Sequence, residues 1–138
     1  DLVLPDPAFI ATLDPEVRTL AETRFRQIVE GLVAAHGAEA DISFHRNYPV
    51  TVNHPDETEH AVATASAIAG EGNVNAEIDP MMGGEDFSYM LNARPGAFIF
   101  IGNGDSAGLH NPAYDFNDEA IAHGISYWVR LAEQRLGV

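Results

Sequence analysis

Six histidines, 21 acidic residues and no cysteine set the chemistry open to this chain. Without a thiol there is no disulfide framework and no thiolate nucleophile or ligand. Catalysis would have to run on imidazole, carboxylate, hydroxyl or a bound metal. The first candidate is His110, in the stretch GLHNPAYDF (108–116), where Gly108 and Pro112 shape a loop and Asn111 is placed to hold it by hydrogen bonding. A neutral imidazole on a rigid loop is a good ligand for zinc or a similar ion. The plainer alternative is a loop histidine bonded to neighbouring backbone.

The second candidate is GGEDF (83–87). Gly83 and Gly84 let a ligand approach the backbone, and Gly84 would expose amides at the start of a short helix, where carboxylates bind well. Glu85 and Asp86 would orient that ligand or brace a metal-bound histidine. The competing explanation is a helix N-terminus with acidic residues favoured by the dipole. His36, His45, His54, His60 and His123 read as structural or exposed, and His54 and His60 are not spaced i, i+4. No H-E-x-x-H, G-x-S-x-G, phosphate-binding loop or G-x-G-x-x-G is present, and GNGDSAG (102–108) is too irregular to cradle a phosphate. One good ligand and one possible anion-binding turn make half a site, with nothing to activate water.

The elements that would position these residues follow from hydrophobic periodicity. FIATL (9–13) is a strand candidate after a proline-rich lead-in. Asp14–Pro15 starts a helix, acceptor then proline, with Val17, Leu20, Ala21, Phe25, Ile28, Val29, Leu32 and Val33 as its apolar stripe. Gly37 ends it. Ala40, Ile42 and Phe44 alternate with Asp41, Ser43 and His45, the pattern of a half-buried strand. Pro49 and Pro55 bracket a crossing to a second helix near 56–70, with Ala61, Val62, Ala65, Ile68 and Ala69 inward. VNAEID (74–79) is a short strand candidate, and a brief helix stopped by Arg94–Pro95 follows the glycine turn. AFIFIG (97–102) reads as a strand buried on both faces, which puts His110 in the loop beyond its C-terminal end. Asn117 caps a last helix at 118–136, with Ala120, Ile121, Ile125, Trp128, Val129, Ala132 and Leu136 as the expected buried stripe.

A net charge of −14, with seven arginines as the only basic residues besides histidine, repels phosphate backbones and anionic lipid. Nucleic acid and membrane partners are therefore not expected. No apolar run approaches the roughly 18 residues of a membrane span, and the expected compartment is the cytoplasm.

LDPEVR (13–18), RNYPVTVN (46–53), MGGEDFSYML (82–91), PGAFIFIG (95–102) and LHNPAYDFNDEAI (109–121) are five stretches whose order resembles the C-terminal part of metal-dependent amidohydrolases. The group in question is that of hippurate hydrolase and the N-acyl-amino-acid amidohydrolases, which are co-catalytic metallopeptidases. The resemblance implies an α/β fold, here the C-terminal fragment of a two-domain metallohydrolase. Residues 1–49 would be the second half of a βαββαβ lid or dimerisation domain, and 50–138 the last part of an α/β/α catalytic domain. It implies that His110 is a metal ligand and that Gly83, Gly84, Glu85 and Asp86 line the substrate pocket.

The family's other ligands and its general-base glutamate have no match here, so no catalytic residue is assigned to this chain. The parent would hold two divalent ions, zinc or manganese, to cleave N-acyl amino acids, with metal-bound hydroxide attacking and a glutamate shuttling the proton. This chain alone is expected neither to retain the metal nor to act, and the parent is expected to be a homodimer. The alternative is a non-catalytic dimerisation or interaction module that kept this part of the fold.

Overall fold

The structure, a computed structural model, describes residues 12–137. Residues 9–11 of the strand expected at 9–13 lie outside the described residues. Contacts divide the chain into two compact units: residues up to Val52 together with Asp79–Ala93, and Asn53–Ile78 together with the residues from Arg94 on.

In the first unit, α1 (Pro15–Ala35) starts as its sequence predicts. The Asp14 carboxylate accepts from the Glu16 and Val17 amides, at 2.7 and 3.3 Å, with Pro15 at the first helical position. His36 closes the other end, and Gly37 takes the left-handed φ of 66° that lets the chain turn away. Residues 42–48 run along α1, and three arginines hold them there. Arg26 donates to the Ile42 carbonyl at 3.1 Å and stacks over the Phe44 ring, and Arg18 donates to the Tyr48 carbonyl at 3.1 Å. Arg46 forks onto Glu22 at 2.6 to 3.0 Å, and this hydrogen-bonded guanidinium holds the Glu22 carboxyl below its usual range. α3 (Phe87–Ala93) closes the unit with Ser88 and Leu91 buried.

In the second unit, α2 (Pro55–Ala69) packs on α4 (Glu119–Leu136). Ala61 and Thr64 of α2 and Tyr127 of α4 are buried. The Thr64 hydroxyl shares its proton between the His60 carbonyl and Gln134 Oε1 of α4, each 2.8 Å away. Small residues let α4 come close to its neighbours: a Cβ at Gly124 would sit 3.5 Å from Ile101 Cδ1. At the helix start Asn117 Oδ1 accepts from the Glu119 amide at 3.0 Å, as its position predicts.

The expectation of an α/β fold is overturned. Among the described residues there are four α-helices and one short 3-10 turn (Glu71–Asn73), but no strand, and so no βαββαβ lid or sheet layer. The alternation at 41–45 does orient side chains, with Ile42 and Phe44 half-buried and Asp41, Ser43 and His45 exposed. It makes no strand because a strand exists only as one side of a hydrogen-bonded ladder, and among the described residues no second segment pairs with it. At 97–102 the expectation of burial on both faces also fails: Ala97, Phe98 and Ile99 are half-buried, and Phe100 and Ile101 are exposed. There a side chain stands where a neighbouring strand would be. The Asn53 amide donates to the Phe98 carbonyl at 2.9 Å, and its oxygen accepts from the Phe98 N–H at 2.8 Å. VNAEID (74–79) likewise has no ladder partner among the described residues and is exposed except at Val74.

Candidate functional site

His110 lies at the tip of a loop closed at its base by two polar side chains. The Asn103 amide donates to the Asp115 carbonyl at 2.7 Å, and Asn103 Oδ1 accepts from the Asn117 N–H at 2.8 Å. The Ser106 hydroxyl donates to the Asp115 carbonyl at 3.1 Å and accepts from the Asp115 N–H at 3.4 Å. Between these staples the chain folds into consecutive turns, Asn111 N–H onto the Gly108 carbonyl and Tyr114 N–H onto the Asn111 carbonyl. The Asn111 side chain accepts from the Ala113 amide at 2.9 Å, so it does hold the loop.

Within the first turn His110 has φ 65°, and it is the one non-glycine residue with positive φ among those described. That conformation costs an L-residue about 1–2 kcal/mol, and a glycine at 110 would avoid it. Its ring is exposed. Beside the staples is an open depression of about 600 Å³, lined by Asn103, Asp105, Ser106, Asp115, Asn117 and neighbours.

The second candidate stretch belongs to the other unit. Gly83, Gly84 and Asp86 are exposed and Glu85 is half-buried. Glu85 caps α3: its Oε1 accepts from the Phe87 N–H at 3.2 Å, and its carbonyl accepts from the Ser88 N–H and hydroxyl. Glu85 thus occupies the first of the amides that the sequence would have offered to a ligand. Gly84 backs onto Tyr48, for an ideal Cβ there would fall 2.9 Å from Tyr48 Cδ2.

Sequence reasoning missed Asn103, Ser106 and Tyr48. The glycines of GNGDSAG are too irregular for a phosphate cradle, but its asparagine and serine are the residues that staple the His110 loop. Their side-chain type was the available signal, since Asn and Ser in a loop bond readily to nearby backbone. His54, read as structural, is so: its Nδ1 accepts from the Gly96 N–H at 3.2 Å and its backbone N–H donates to the Gly96 carbonyl.

A metal centre needs three or four protein ligands. Among the described residues no three His, Cys, Asp or Glu side chains gather to hold an ion. His110 is the right kind of donor, but the donors present do not by themselves compose a metal site.

Residues 6–134 match peptidase family M20/M25/M40. The chain belongs to this family. It is 33% identical over 134 residues to the hippurate hydrolase of Campylobacter jejuni, covering 94% of this chain and 35% of that enzyme. It is 31% identical over 134 residues to the N-acetylcysteine deacetylase of Bacillus subtilis, with coverage of 94% and 34%. With the N-acetyldiaminopimelate deacetylase of Streptococcus thermophilus it shares 34% over 118 residues, 85% of this chain and 31% of the other. The chain thus spans about a third of the length of these curated relatives. No solved structure matches it. The M20 family is one of amide-bond hydrolases and is generally metal-dependent, which agrees with the resemblance read from the five sequence stretches. No helix among the described residues is long and apolar enough to cross a membrane.

Proposed function

We propose that this chain is the C-terminal part of an M20 hydrolase that cleaves the amide bond of N-acyl amino acids. In this reading His110 supplies one ligand to a zinc or manganese site whose other ligands lie outside this chain. The Gly83–Asp86 turn contributes to the substrate pocket. The observation that carries the proposal is the left-handed backbone of His110 at the tip of a doubly stapled loop. A strained conformation persists only where the surroundings over-determine it, and such strain gathers at functional sites. Among the described residues no hydrogen bond or ion pair engages the His110 side chain, at a position where glycine would be at ease. The names of the relatives supply the reaction class.

The same reading makes the chain inactive and metal-poor in isolation, and its parent a cytoplasmic homodimer acting on small molecules rather than nucleic acid. A second reading, a non-catalytic interaction module, draws on the exposed apolar residues of α1 and α4. Hydrolysis separates the two.

The test is hydrolysis of hippurate and of N-acetyl amino acids by the gene product that carries these residues, supplied with zinc or manganese. His110→Ala and His110→Gly should each lower kcat/KM by at least roughly 100-fold, beyond the loss typical of a residue that only braces a ligand. His110→Gly should at the same time raise the unfolding free energy by about 1 kcal/mol as the strain is released. Full activity in either variant removes His110 from the site. No hydrolysis by the parent protein favours the interaction module.

A further inference from the structure

Tyr48 is held from several directions. Arg18 donates to its carbonyl at 3.1 Å, and the Tyr89 hydroxyl donates to the carbonyl of the preceding Asn47. Its ring meets the Tyr89 ring edge-on, with centroids 6.2 Å apart. The same ring occupies the space where a side chain at position 84 would begin. A Cβ built on Gly84 would lie 2.9 Å from Cδ2, 3.6 Å from Cε2 and 3.9 Å from Cγ. The nearest of these atoms is one bond beyond Cγ, so relieving the clash takes a rotation of the whole ring or a shift of the backbone, rather than the bending away of a long flexible chain. Gly84 is followed directly by Glu85, whose carboxylate caps α3, and by Asp86.

We propose that Tyr48 is a positioning residue for the Gly83–Asp86 turn: its ring is the wall against which Gly84 is seated, and this fixes where Glu85 and Asp86 present their carboxylates. The ring is what matters, because no side-chain hydrogen bond is needed for the contact. The glycine follows from it, as only a residue without a Cβ lets the backbone reach the ring. The inference rests on the proposed role of this turn in a substrate pocket, but the coupling between Tyr48 and the turn is measurable without that role.

Two readouts decide it. The first is amide hydrogen exchange at Phe87 and Ser88, the two N–H groups bonded to Glu85. Exchange there should accelerate about 10-fold in Tyr48→Ala and in Tyr48→Leu, stay unchanged in Tyr48→Phe, and leave α4 undisturbed. Unchanged exchange in both the alanine and the leucine variant overturns the proposal. The second is the steady-state split for hydrolysis of an N-acyl amino acid by the parent protein. Gly84→Ala should raise KM about 10-fold with kcat moved less, and Gly84→Ala combined with Tyr48→Ala should be no worse than the poorer single variant. Strictly multiplicative losses overturn it. If the parent hydrolyses nothing, the proposed function falls while the exchange experiment still settles Tyr48.

Discussion

α1 is 21 residues long, begins with a side-chain cap followed by a proline, and has no buried residue. α2 and α4 are shorter, at 15 and 18 residues, yet pack on each other and bury Ala61, Thr64 and Tyr127. The first helix shows what local sequence can do alone: caps and spacing define its ends and its axis. The second pair shows what local sequence cannot do. Burial needs a partner, and most helical stability comes from packing rather than propensity.

The contrast can be pressed hardest at Tyr127. Tyr127→Ala should destabilise the chain by about 3–5 kcal/mol in urea denaturation, through lost transfer energy and the cavity left behind. Ile28→Ala on α1, where the residue is 61% exposed, should change it by no more than about 0.5 kcal/mol. Equal losses at the two sites would erase the distinction.

Removing the cap by Asp14→Ala should cost about 1 kcal/mol, read as faster amide exchange confined to the first turn of α1. Loss spreading to α2 and α4 would mean that the helices share stability more than their burial implies.

Two titrations sharpen the comparison further, with smaller effects. Burial pushes the Tyr127 phenol up, so the folded state keeps a proton that the unfolded chain gives away at an ordinary tyrosine pKa. That stability is intact below the ordinary value and is lost as pH climbs from it towards the folded one. Tyr127→Phe should flatten this alkaline decline. On α1 the sign reverses. Arg46 holds the Glu22 carboxyl down, so its contribution is present above the ordinary carboxylate pKa and disappears as pH falls through the lowered one. Because Arg46 is exposed and Glu22 only half-buried, solvent and salt still screen the pair, and Glu22→Gln should give the smallest change of the set, visible only as a shallower acid limb at low salt.

What was legible in the sequence divides along the same line. Asp14, Pro15 and Gly37 announced the ends of α1, and Asn117 the start of α4, because caps are local chemistry. The burial of α4 differs from the expected stripe at all but one position. Ile121, Ile125, Trp128, Val129, Ala132 and Leu136 are exposed, and only Ala120 of that stripe is half-buried. From Ala120 the half-buried or buried face runs on through Gly124, Tyr127 and Leu131. Apolar character alone does not choose between two sides of a helix; the small residues, which permit close approach, were the better guide.

α1 tells the same story, since Val17, Leu20, Ile28 and Leu32 are exposed and only part of its stripe turns towards 42–48. The strands were illegible in principle from this chain, since alternation at 41–45 and the run at 97–102 record a disposition to pair but not the presence of a partner. At the candidate site, the His110 loop and its Asn111 bond could be read from residue types. Its left-handed backbone and the Asn103 and Ser106 staples depend on residues brought together across a dozen positions.

The clip between Asn53 and Phe98 bears on how this chain behaves in a crowded solution. Side chains and backbone at 53–54 already engage the N–H and C=O groups of Phe98 and Gly96. An apolar run with open backbone groups is a template on which stray strands from other molecules can add. At these two residues the template is blocked from within the same chain. Asn53 thereby withholds the Phe98 backbone groups from strand addition, within a run whose apolar, β-preferring composition invites it.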